Sequence, residues 1–107
     1  MKYLLIINTT ETETVWNALR FGSAALSRGH EVSIFLLGPA VEIEEIGDER
    51  FDVQKLLLRF DELGGVALSC GTCLRIRKMD AAAVCPMSTM DDLVRLTEES
   101  DRVVTFG

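Results

Sequence analysis

The residues of this chain best suited to chemistry are its three cysteines, and two of them form one motif. Cys70-Gly71-Thr72-Cys73 stands where a short apolar run, Val66-Ala67-Leu68-Ser69, gives way to a segment carrying Arg75, Arg77 and Lys78. A cysteine between a strand end and a helix start meets unpaired amides and the positive end of the helix dipole. Both favour thiolate over thiol and lower the pKa. Gly71 allows close backbone approach, and the Thr72 hydroxyl can satisfy a free amide. Arg75 and Arg77 would favour the thiolate or dock an acidic partner. Cys85 closes the run Ala81-Ala82-Ala83-Val84-Cys85, where it suits core packing more than a site. Two small buried side chains beside a solvated basic helix face would also account for the motif.

Three chemistries compete for the C-x-x-C pair. A thioredoxin-like dithiol places its motif near the chain start, after the first strand of a different topology; here it comes late. A zinc site needs about four ligands, and the remaining candidates are Cys85, His30 and carboxylates. His30 precedes a strand and belongs at the opposite edge of the sheet, which argues against a metal site. A persulfide carrier needs only one activated, accessible cysteine, to which a second can be added to resolve it, and fits best. No G-x-x-x-x-G-K-[ST] loop, G-x-G-x-x-G turn or serine elbow is present to support nucleotide or serine chemistry. No cofactor is expected.

The elements that must position these residues follow from periodicity. Lys2–Ile7 is almost continuously apolar, as for a strand covered on both faces. Thr10-Glu11-Thr12-Glu13 reads as a capping box, opening a helix to Arg28 with Val15, Ala18, Leu19, Gly22, Ala25 and Leu26 on one stripe. A second strand over Glu31–Leu37 ends at Gly38-Pro39. Residues 40–52, rich in Glu and Asp, read as a surface loop with room for a helical turn, and as a possible lid. A helix over Val53–Leu63 stops at Gly64-Gly65, a third strand takes Val66–Ser69, and a short helix takes Thr72–Met79. Ala81–Cys85 is the candidate fourth strand, ended by Pro86, although alanine-rich strands are unusual. The last helix, capped at Ser88-Thr89, has Met90, Leu93, Val94 and Thr97 as its inner stripe, and a strand over Arg102–Phe106 completes the chain. This alternation predicts an α/β fold, a single three-layer α/β/α domain over residues 1–107 with a mostly parallel five-stranded sheet. Sites in such folds lie beyond the carboxyl ends of the strands, where Cys70 and Cys85 fall.

At 107 residues and 48% hydrophobic, one core burying roughly two-thirds of the unfolded surface is expected. A formal charge of −6 argues against nucleic acid and against an anionic membrane surface as partners. The first apolar run is too short for a signal peptide and no run has transmembrane length. A cytoplasmic location is expected, where an odd cysteine count points to chemistry rather than disulfides.

Leu68-Ser69-Cys70-Gly71-Thr72-Cys73-Leu74, followed by Ser88-Thr89-Met90-Asp91 and Asp101–Gly107, resembles the DsrE/DsrF-like family, most closely the DsrE-like domain of YedF-type proteins. The resemblance implies a three-layer fold that assembles as trimers or hexamers. It also implies sulfur relay, in which a cysteine after the third strand takes sulfane sulfur from a small carrier protein and passes it on. Cys70 matches that cysteine by position, with Cys73 its alternative. The expectation is therefore a sulfur-handling, sulfurtransferase-like carrier. A non-catalytic binding or assembly module and a thiol redox switch are the other readings.

Overall fold

A computed structural model describes residues 1–107. Strands β1 (Lys2–Ile7), β2 (Glu31–Leu36), β3 (Val66–Cys70), β4 (Met87–Ser88) and β5 (Arg102–Phe106) alternate with helices α1 (Thr12–Ser27), α2 (Val53–Glu62), α3 (Gly71–Ile76) and α4 (Met90–Glu99). The sheet runs β4-β3-β2-β1-β5, and every pairing is parallel. From β1 to β4 the chain steps the same way across the sheet, and from β4 to β5 it returns. Right-handed crossovers therefore place α1 and α2 on one face and α4 on the other.

The apolar strands are apolar because they are central. Leu4, Leu5 and Ile7 of β1 and Ile34, Phe35 and Leu36 of β2 have no solvent exposure. The α1 stripe of Val15, Ala18, Leu19, Gly22 and Ala25 is buried as its spacing predicts. Between α1 and α2 the key is Phe60, 1% exposed. Its ring lies where a Cβ on Gly22 would sit 2.8 Å from it and where a Cβ on Gly65 would overlap it. Those two glycines let a large ring bring the helices together over the sheet.

Four expectations are corrected. The cap of α1 is Glu11, whose carboxylate accepts from the amides of Glu13 and Thr14 at 3.0 Å; Thr10 does not fill that role. The acidic stretch has the helical turn its reading left room for but does not lie wholly on the surface: Gly38–Glu45 forms a 3-10 turn that buries Ala40, Val41 and Ile43. Gln54 Nε2 pins it by donating to the carbonyls of Ile43 and Ile46 at 2.7 and 2.8 Å. The fourth strand is Met87–Ser88 rather than Ala81–Cys85. Ala82 and Cys85 pack into the core from a non-strand segment, and Pro86 precedes the strand instead of ending it, its carbonyl accepting from the Ser69 amide at 2.9 Å. A proline is tolerated there because β4 is an edge. Finally, of the stripe assigned to α4 only Leu93 is buried, with Met90 56% and Val94 53% exposed.

Candidate functional site

The site is built at the carboxyl edge of the sheet, where three chain segments meet. Strand β3 ends at Cys70, and α3 begins at Gly71, so Cys70 caps a helix of which Cys73 is part. Gly71 is buried because β4 runs against it: a Cβ there would lie 3.0 Å from Met87 Cγ and from the Ser88 carbonyl oxygen. The close approach expected of this glycine is thus to a neighbouring strand. The third segment is the turn after β2. Gly38 adopts a left-handed φ of +54°, which aims its N–H at the Cys73 sulfur, donating at 3.2 Å.

The two thiols of the motif differ in access. Cys70 is 3% exposed, whereas Cys73 is half-buried. They lie close enough for Cys70 to disfavour the Cys73 thiolate. Desolvation is the largest influence on Cys73 and pushes its pKa up; the interaction with Cys70 pushes the same way. The Gly38 amide and the Arg77 charge oppose them. The sequence expectation of a lowered pKa therefore does not hold for Cys73, because its burial outweighs the donors around it.

Of the basic residues, Arg77 is the one tied to the site. Its Nη1 donates to the Cys73 carbonyl at 3.2 Å, and its Nε pairs with Glu42 at 3.1 Å. The pair clamps the 3-10 turn onto α3 and so holds Gly38 against Cys73. Arg75 instead donates to the Thr72 hydroxyl at 3.2 Å on the solvent side. Cys85 is fully buried; burial, with Glu44 and Asp61 adding repulsion, pushes its thiol up to about 12. Its carbonyl accepts from the Ser69 hydroxyl at 2.9 Å, and it serves as core packing beneath β3. His30 lies at the opposite edge, its Nδ1 3.0 Å from the terminal amine of Met1. The largest cleft, about 430 Å³, is at that far edge too and holds no thiol.

Sequence reasoning missed Gly38 and Glu42. Gly38 was visible as a glycine at the carboxyl end of a strand, but its contact with Cys73 spans 35 residues. Asn8, in the turn after β1, shares this edge, its Oδ1 lying against Gly38.

A parallel five-stranded sheet with helices on both faces and a C-x-x-C turn at its carboxyl edge defines the class. The chain belongs to the DsrE/DsrF-like family, whose model matches residues 1–106. It is 38% identical to protein MJ0989 of Methanocaldococcus jannaschii over 99% of this chain and all of the relative. It is also 36% identical to protein MK0008 of Methanopyrus kandleri, over 88% of this chain and 83% of that one. The crystal structure of the YchN protein of E. coli superposes with a TM-score of 0.83 over 99% of this chain and all of that one, at 21% identity. No helix of the chain is long and apolar enough to cross a membrane.

Proposed function

We propose that the chain is a sulfur-handling protein in which the Cys70/Cys73 pair carries sulfane sulfur as a persulfide. The observation that carries this reading is the pairing of a buried and a half-buried thiol at the carboxyl edge, with a backbone amide directed at the accessible sulfur. In the loading step a cysteine thiolate attacks the outer sulfur of a donor persulfide. The new S–S bond forms as the donor's own S–S bond breaks, and the donor thiol leaves with its electron pair. Cys70 matches the relay cysteine implied by the resemblance, with Cys73 the alternative, and the half-buried Cys73 is the thiol a donor meets first. Arg77 and the Gly38 amide favour the anionic sulfur, and Arg75 on the outer side of α3 suits an acidic carrier protein. The test is to incubate the reduced chain with a persulfide donor and map added sulfur by mass spectrometry. Cys70 or Cys73 should gain one sulfur, retained or released again as sulfide; a chain that does neither, under conditions that load a known relay protein, sinks the reading.

A second reading, an assembly or binding module with structural thiols, draws on the exposed apolar side chains Val66, Met87, Met90, Val94 and Val103. The two are compatible if these residues join copies of the chain into a trimer or hexamer. They separate on thiol chemistry: a module whose cysteines only pack would take no sulfur at all.

A further inference from the structure

The difference in access between the two thiols, together with their mutual contact, assigns them different roles. Resting on the persulfide reading above, we infer that Cys73 is the loading thiol and Cys70 the resolving thiol, so that the sulfur leaves as hydrosulfide and the chain is left with a Cys70–Cys73 disulfide.

Cys73 is half-buried, so a sulfur added to it has its free end toward solvent, while its inner sulfur stays beside Cys70. Cys70, 3% exposed, is screened from a donor molecule but not from its neighbour three residues on. Cap and third helical residue are spaced for a disulfide without backbone movement, since the Cα separation a disulfide tolerates is roughly 4.4–6.8 Å. The thiolate of Cys70 attacks the inner sulfur of the Cys73 persulfide; the Cys70–Cys73 S–S bond forms, the bond between inner and outer sulfur breaks, and the outer sulfur departs as HS⁻ with the electron pair. The proton given up by the Cys70 thiol balances that charge as H₂S. Electrons balance without an external oxidant, because the persulfide sulfur is itself reduced to sulfide as the two cysteines are oxidised. The Gly38 N–H, held on Cys73 by the Arg77–Glu42 clamp, fixes the sulfur under attack. The chain then stands between a reaction that generates a low-molecular-weight or protein persulfide and a dithiol reductant that reopens its disulfide. A relay that hands intact sulfur to an acceptor would gain nothing from a second thiol against the first.

The experiment uses the full reduced chain with a single equivalent of glutathione persulfide, followed by intact mass, peptide mapping and free-sulfide measurement. Wild type should release sulfide and end two hydrogens lighter, with Cys70 joined to Cys73, and a dithiol should restore it. Cys70→Ala should hold one added sulfur on Cys73 and release no sulfide. A wild-type chain that keeps its added sulfur, with no disulfide and no sulfide, overturns the inference and leaves the persulfide reading standing. A glutathione adduct on Cys73 of Cys70→Ala, in place of one sulfur, also overturns it, because the sulfide would then come from the donor directly. No adduct in Cys70→Ala and no disulfide in wild type overturns the persulfide reading itself. Cys70→Ser, closer in size and shape to the thiol, repeats the variant arm should Cys70→Ala fold poorly, and added sulfur absent from Cys73 in a folded variant while wild type forms its disulfide overturns the assignment of roles.

Discussion

At the scale of single residues the surroundings of each sulfur decide what it can do. Cys73 is raised by desolvation and opposed by the Gly38 amide, so the glycine is a direct handle on its reactivity. Gly38→Ala places a side chain in the left-handed region and against Asn8 Oδ1, at a strain cost of about 1 kcal/mol. It should tilt the amide off the sulfur. Losing a donor that favours the thiolate raises the pKa further, so alkylation of Cys73 by iodoacetamide at mildly alkaline pH should slow; an unchanged rate would show that the amide does not tune the thiol. Cys85 gives a pH prediction of definite sign. Its folded pKa of about 12 lies above the ordinary thiol value of about 8.5, so the folded chain holds a proton that the unfolded chain gives up. Its contribution is intact below about pH 8.5 and is lost as pH rises toward about 12, so stability falls across that window. Chemical denaturation from pH 8 upward should show the decline, and Cys85→Ala should flatten it, whatever its own cost in packing.

The elements carry a different lesson, which concerns packing across sequence distance. Helices α1 and α2 lie together because Gly22 and Gly65 leave room for the Phe60 ring. Gly65→Ala drives a methyl into that ring in a region already filled, and overpacking of this kind costs about 1–3 kcal/mol. Thermal or urea unfolding measures it, and Phe60→Leu combined with Gly65→Ala should recover part of the loss by returning volume. The short α3 and the 3-10 turn work as a unit through Arg77 and Glu42, whose side chains are 28% and 34% exposed. Glu42→Gln should cost little stability, about 0.2–1 kcal/mol for a pair this accessible. Its clearer effect should be on Cys73, whose alkylation rate reports whether the turn stays seated on α3; an unaltered rate together with unaltered stability would show that the clamp is idle.

For the whole molecule the open question is what covers the outer surface of α4 and the adjoining sheet. Val94 is 53% and Met90 56% exposed, both on the helix that alone covers its face of the sheet, and Val66 of β3 and Val103 of β5 are exposed as well. If copies of the chain join there, Val94→Asp should lower the mass measured by sedimentation while leaving circular dichroism unchanged; the same mass for variant and wild type would rule out α4 as an interface. The alternation of apolar runs and helical stripes was sufficient to give the α/β class, the order of elements and the parallel sheet, because burial imposes its period locally on each segment. Cys70 and Cys73 were legible for the same reason, as two thiols within one turn at a strand end. Other features depended on partners far along the chain. The Ala81–Cys85 run lost its place as a strand to Met87–Ser88 because Ala82 and Cys85 found the core without a ladder. The stripe of α4 was misplaced because periodicity shows that a helix has an apolar face but not whether that face meets the sheet or solvent. The access of each thiol, and the amide that approaches Cys73, came only from a turn 35 residues earlier. Sequence thus determined the α/β alternation and put two thiols within one turn at a strand end, while tertiary packing decided that Cys70 is buried and Cys73 half-buried, because access depends on which distant segments pack over each sulfur.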